Sequence, residues 1–243
     1  MGPTASVPGD SGDVEPPWWR PAKQSGRRTP LSRDAIVDAA VKILDVDGLD
    51  GLTIRRLGEE LGSGAASIYW HVAGKQELAE LVYDRILGEI DLPAIDPDRW
   101  REQIRSMARS GYQVMRSHRD AVRMSLGSIP LGPNGLRMIE WGLAVLRATG
   151  MPDHVALYFG DLLGRYIDAS VLEEQGMMSD PNDPKLAAVA AYFQSLPIDR
   201  YPNIAATMGQ WNAEGDVTNE GNLSRFELGL EILMRGLETY VPA

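Results

Sequence analysis

The chain has 243 residues, 44% apolar and 24% charged, which is enough apolar material for a core and too much for wholesale disorder. The absence of cysteine excludes disulfide frameworks, cysteine-ligated zinc, iron–sulfur clusters and thiol catalysis, and three scattered histidines (His71, His118, His154) do not suggest a metal centre. With 24 basic against 34 acidic residues the formal charge is −10, which taken whole argues against a nucleic-acid partner. No apolar run approaches the roughly 18–20 residues that a bilayer requires, and no secretory signal is visible. A cytoplasmic protein with no membrane partner is therefore expected.

Residues 1–30 are rich in Pro, Gly and Ser, with Trp18 and Trp19 as the only bulky apolar pair. They read as a flexible leader that buries too little surface to order itself. Its second half is basic: Arg20, Lys23, Arg27, Arg28 and Arg33 follow one another with no acid between them. From Ser32, a capping residue, Ile36, Ala40, Ile43 and Leu44 recur at helical spacing, with Gly48 as the stop. A second helix opens at Thr53 and carries Ile54, Leu57 and Leu61 before Gly62. A third, very short, is predicted from Ser67 to about Val72, and after Gly74 a long fourth starts at Lys75 with Leu78, Leu81, Val82, Ile86 and Ile90 as its stripe.

The remainder also reads as helices, bounded by Pro93 and Pro97, Pro130 and Pro133, Gly150 to Pro152, the polar stretch 179–184 and the Gly- and Asn-rich stretch 209–222. No alternating strand pattern of useful length occurs, so the fold class is all-α. The predicted organisation is the leader with its basic arm (1–30), a small three-helix unit (31–75) from which a connecting helix (75–92) continues, and a larger helical unit (76–243).

Residues 53–72, TIRRLGEELGSGAASIYWHV, place two helices around a Gly-containing turn, the layout of a helix-turn-helix whose second helix enters the major groove. Small residues at 62 and 64–66 keep the turn tight, and Ser67, Tyr69, Trp70 and His71 offer donors for phosphates and base edges. Tyr69 and Trp70 lie roughly 100° apart on a helix, so at least one faces outward. GSGAAS (62–67) approaches a dinucleotide-binding fingerprint, but it follows a charged amphipathic helix where that motif requires a strand.

LTIRRLGEELGSGAASIYWHV, followed by Lys75 and a long helix, resembles the DNA-binding domain of the TetR family of bacterial repressors. Downstream, HRDAVRMSLGSIP (118–130), VLEEQ (171–175) and FELGLEILMRGLE (226–238) are similar to the tetracycline-repressor branch. The resemblance implies an N-terminal helix-turn-helix domain, a larger C-terminal domain for ligand binding and dimerisation, and a homodimer on palindromic double-stranded operator DNA. It places Thr53, Tyr69, His71 and Lys75 on phosphates, with Trp70 nearby, and Arg55, Ala65, Ala66 and Ser67 against bases. Arg27 and Arg28 would serve the adjacent minor groove or backbone. Gly58 stands where an alanine is usual, at a helix-propensity cost of about 1 kcal/mol.

The larger unit shows no catalytic constellation, so no enzyme activity and no cofactor is expected. The resemblance implies a small-molecule cavity, for which Met107, Tyr112, Met124, Ser125, Ser128, Ile129, Trp141 and Tyr166 are the candidates. Ser125 stands where the tetracycline branch has a metal-coordinating histidine, and Met107 and Trp141 replace polar contacts, so a metal-free, apolar or aromatic effector is expected rather than a magnesium–tetracycline complex. Asp161, Arg165 and Asp168 share a helix face, either as intrahelical pairs or as part of a cavity or interface. For the dimer interface the candidates are Leu162, Arg165, Phe226, Leu230, Leu233 and Leu237.

Dividing the charge changes its meaning. Residues 18–75 hold nine basic against seven acidic side chains, and residues 76–243 hold 15 against 24. The total averages a locally basic head with an acidic body. The alternative is a helical ligand-binding or enzymatic protein whose helix-turn-helix is only structural, which leaves Arg55, Tyr69, His71 and Lys75 unexplained as a set.

Overall fold

The computed structural model describes residues 15–16, 18–19, 31–126, 128–176, 184–207 and 219–242, with side chains from 225 onward in the last segment. Among these residues every regular element is helical, as the sequence predicts. The chain divides into two compact units, residues 1–168 with 237–243 and residues 169–236.

The first unit begins with α1 (Arg33–Gly51), capped by Ser32, whose hydroxyl accepts the Ala35 N–H at 3.1 Å. Gly48, the predicted stop, breaks the regular helix at φ +75°, and one further turn follows to Gly51 across the kink. α2 (Ile54–Glu60) is capped by Thr53, whose Oγ1 accepts the Arg56 N–H at 3.1 Å. Gly62 then turns the chain at φ +58°. α3 (Ala65–Tyr69) starts two residues ahead of the predicted Ser67, because Gly64 already supplies the extended cap and its carbonyl accepts the Ser67 N–H at 2.9 Å.

α4 (Lys75–Leu87) leads into the rest of the unit and ends at Gly88, so Ile90 is buried from the turn beyond the helix. A short 3-10 turn (Pro97–Arg99) precedes α5 (Trp100–Ser117). α6 (Ala121–Ser125), α7 (Pro133–Arg147) and the first two-thirds of α8 (Asp153–Gln175) follow. α4 packs on α1 at one side and on α5, α6 and α7 at the other. Ile36, Ile43, Leu57, Ile68, Leu78 and Ile86 are essentially excluded from solvent, each contributing roughly 1.5–3 kcal/mol of transfer free energy.

In the second unit, the end of α8 and most of α10 (Asn219–Glu238) bury Val171, Phe226, Leu230 and Met234. Arg225 pairs with Glu173 at 3.1 Å. α9 (Pro184–Gln194) buries no residue within the chain.

The leader departs from expectation where it is described. Trp19 is buried, and its indole N–H donates to Glu80 Oε2 at 2.8 Å. A single buried aromatic ring supplies the surface that the Pro- and Gly-rich composition lacked.

Gly58 has a packing reason for its missing side chain. A Cβ there meets the Ser63 carbonyl oxygen at 2.7 Å and Ile68 Cδ1 at 3.8 Å, so the glycine admits the turn against α2. Gly58→Ala gains about 1 kcal/mol of helix propensity but forces the turn backbone outward. Thermal unfolding is therefore expected to show a Tm lowered by roughly 2–6 °C; an unchanged or raised Tm contradicts this packing.

Candidate nucleic-acid interface and effector body

The helix-turn-helix presents its polar residues outward. Ile68 is the fully buried residue of α3, while Ala65, Ala66 and Ser67 are exposed. Tyr69 and Trp70 are both exposed, at 47% and 61%, so neither ring fills the core. Arg55 projects from α2 with 87% of its side chain exposed, held loosely by Glu59 at 3.2 Å. Arg56 is instead tied to Asp47 at 3.1 Å and Glu60 at 3.0 Å. Arg55, Gly62, Ala65 and Tyr69 border one shallow depression of about 600 Å³ between α2 and α3. Lys75 is exposed at the first position of α4, and His71 is half-buried before it. Thr53 Oγ1 is used as the cap acceptor, which leaves its hydroxyl proton to donate. Arg27 and Arg28 lie outside the described residues.

A polar joint locks this head to the body. His118, at the end of α5, faces Asp45 of α1 through Nδ1 at 3.0 Å and Glu89 beyond α4 through Nε2 at 3.1 Å. Arg119 donates to the Val46 carbonyl at 2.7 Å, and Asp120, in the left-handed region at φ +59°, accepts the Leu49 N–H at 2.8 Å. The Asp120 carboxylate sits so close to Gly48 that a Cβ there meets its Oδ2 at 2.7 Å. Sequence reasoning missed this joint because its members lie more than 70 residues apart in most pairs.

The candidate ligand-binding residues separate into distinct environments. Tyr112, Met124 and Trp141 are buried, and the Trp141 indole donates to the Pro93 carbonyl at 2.7 Å, so its polar edge is already used. Met107 and Tyr166 are half-buried. Ser125 stands at the centre of a relay: Tyr83 donates to its Oγ at 3.0 Å, and Ser125 donates to Asp168 Oδ2 at 2.6 Å. Burial raises Tyr83 to about 12 and also raises the Asp168 carboxyl, which the Ser125 bond only partly offsets. Of the charged face on α8, Asp161 and Arg165 pair at 2.9 Å, whereas Asp168 turns inward.

A cavity of about 350 Å³ opens between α4 and residues 128–132, walled by Trp19, Tyr83, Leu87 and Leu131. Ser128 and Ile129 line it; the other six candidates do not. Asp84, one turn along α4 from Glu80, accepts from the Asn134 and Gly135 N–H groups at 3.3 and 3.0 Å and holds the start of α7 in place. Asp84 is not singled out by the sequence, and Trp18 and Trp19 stand out there only as a bulky pair, because nothing in local spacing reveals their partners.

The dimer-face candidates on α10 differ in exposure within the single chain. Phe226, Leu230 and Leu237 are buried within the single chain, and Leu233 is half-buried. The exposed apolar residues are Leu228 and Ile232, each 64% exposed. Two helical positions amount to roughly 200°, which carries 228 and 232 to the side opposite 226 and 230. On α8, Leu157, Tyr158 and Leu162 are exposed, and Gly160 and Gly164 face open space.

Among the described residues no group of histidine, aspartate and glutamate is placed to hold a metal, and no helix is long and apolar enough to cross a membrane.

A short exposed helix set after a Gly-containing turn on α2, and followed by α4, which leads into further helices, is the arrangement of a helix-turn-helix. The family described as "Bacterial regulatory proteins, tetR family" matches residues 36–82, and "Tetracyclin repressor-like, C-terminal domain" matches residues 92–241. The chain belongs to the TetR family of transcriptional regulators. It is 32% identical over 203 residues to an HTH-type transcriptional regulator of Saccharopolyspora erythraea, covering 82% of this chain and 86% of that one. It is 29% identical over 230 residues to the HTH-type transcriptional repressor DrrR1 of Streptomyces coeruleorubidus, covering 91% and 82%. Its fold is similar to that of Streptomyces coelicolor ActR in complex with actinorhodin, at a TM-score of 0.79 and 38% identity, covering 88% of this chain and all of that one.

The His118 joint carries a pH dependence. Burial lowers the His118 pKa, but the hydrogen bonds its ring donates to Glu89 and Asp45 outweigh it and raise the group above its ordinary value. Its stabilising contribution is therefore full below the unfolded value near 6.5 and is lost as pH rises through the higher folded value. Urea unfolding across pH 5 to 9 should show this loss in the wild type and a flatter profile in His118→Gln; parallel profiles contradict the joint.

Proposed function

We propose that the chain is a ligand-responsive repressor that binds a palindromic operator as a homodimer and is released by a small, metal-free apolar or aromatic effector. The observation that carries this reading is the exposed face of the head. Arg55, Ser67, Tyr69, Trp70 and Lys75 all reach solvent around helices whose apolar sides are buried. Residues 31–75 form the reading head and 76–243 the sensing and dimerising body. Ala65 and Ala66 carry no hydrogen-bonding side chain, so Arg55, Ser67 and contact with thymine methyl groups supply direct readout. Thr53, Tyr69, His71 and Lys75 supply phosphate contacts, which position the head without reading sequence.

The relative in complex with actinorhodin supports a ligand of comparable kind, and the aromatic walls around residues 128–132 suit it. We propose that dimerisation uses the exposed apolar residues Leu157, Tyr158 and Leu162 of α8, with Arg165 at the rim. In the mechanism, effector and operator each favour one arrangement of α4 against the body, so each weakens the other by the same factor.

Fluorescence anisotropy with DNA from upstream of the chain's own gene tests the head. Arg55→Ala should cost about 1–3 kcal/mol of discrimination at one base position, whereas Lys75→Ala should weaken all sequences alike and reduce the salt slope by about one. Salt-independent or absent binding by the wild type refutes the reading. Light scattering tests the assembly: the wild type is expected as a dimer at micromolar concentration and Leu162→Asp as a monomer, and a monomeric wild type overturns the dimer.

A further inference from the structure

We propose that Trp18, Trp19 and Glu80 form a brace that ties the N-terminal half of α4 to residues 128–135, making them positioning residues for the head. The inference rests on the DNA-binding reading above. One carboxylate oxygen of Glu80 accepts both indole N–H groups, from Trp18 at 3.0 Å and from Trp19 at 2.8 Å. The leader is pinned a second time where Glu15 receives Arg33 Nη1 on both oxygens, at 2.7 and 2.8 Å. A turn joins the two pins, with the Trp19 N–H donating to the Pro16 carbonyl at 2.9 Å.

The far side of the brace is equally specific. Trp19 is 6% exposed, and a Cβ built at Gly132 lies 2.7 Å from its Cη2, so the ring tip reaches the residue that caps α7. Asp84 grips the next residues, Asn134 and Gly135, from the following turn of α4. Glu80 and Asp84, four residues apart on one face, thus hold the leader and α7 side by side. Lys75 opens the same helix. It cannot shift against residues 128–135 without breaking the indole–carboxylate bonds or the Asp84 bonds. Both tryptophans also wall the cavity that Ser128 and Ile129 line, so a molecule entering it meets the brace directly.

Hydrogen exchange on the full chain, with and without upstream DNA, tests the brace. In the wild type, DNA should slow exchange at 65–75 and also at the remote segment 128–136, each by about threefold or more. In the Trp18→Ala/Trp19→Ala double variant and in Glu80→Leu, protection at 65–75 persists and protection at 128–136 disappears. A chain lacking residues 1–19, which removes none of the described helices, provides the same comparison if a point variant folds poorly. Undiminished protection at 128–136 in these variants, or its absence in a wild type protected at 65–75, overturns the brace. No protection at 65–75 in the wild type refutes the DNA-binding reading itself.

Discussion

The burial of one apolar stripe on α4 against two neighbours at once constrains everything else in the first unit. Leu78, Val82 and Ile86 are fully buried, and the helix that carries them packs on α1 at one side and on α5, α6 and α7 at the other. Rolling or sliding α4 exposes that stripe on both sides, at a cost proportional to the area uncovered. Two buried carboxylates add polar anchors to this apolar stripe. Glu77 is buried and accepts the Ala73 N–H before the helix, while Asp84 holds the start of α7. Burial raises the Asp84 carboxyl, which is tolerable only because the N–H groups of Gly135 and Asn134 satisfy it. Charges in such places restrict which neighbour the helix accepts, a restriction an apolar contact does not impose.

Electrostatics in this chain acts locally. The acidic excess lies mostly in residues 76–243, with 15 basic against 24 acidic side chains, while Arg55 and Lys75 project from the head. Counter-ion release depends on the cations that reach the phosphates and is insensitive to the sum over the molecule. The distinction between Arg55 and its neighbour Arg56 makes the same point at residue scale. Arg56 is bound to Asp47 and Glu60 and stabilises the head, and Arg55 shares only Glu59 on an open face.

The body combines polar and apolar chemistry in a way composition does not show. Ser125 receives the Tyr83 hydroxyl and gives its own proton to Asp168, so a residue type that looks inert in sequence becomes the middle of a buried relay. The partners lie 42 and 43 residues away on either side. The cavity beside residues 128–132 is likewise built from the leader, α4 and a loop, three segments that only the fold brings together.

Read from sequence alone, the all-helical class, the helix-turn-helix at 53–72 and the outward tendency of Tyr69 and Trp70 followed from periodicity, capping residues and glycine placement, which are local properties. Caps at Ser32 and Thr53 stand where the sequence places them because a side-chain oxygen within three residues suffices to make them. Which apolar stripe turns inward was decided by tertiary packing. Phe226 and Leu230 form a helical stripe as regular as Leu228 and Ile232 form on the opposite side, and periodicity cannot say which one a neighbour covers. The same holds for Trp18 and Trp19, whose leader composition suggested no order until a distant glutamate and a glycine gave the rings a place to bind. Sequence determined the local geometry and the chemical inventory of this chain; long-range contacts, which no local pattern encodes, selected the faces that are buried and the polar groups that meet.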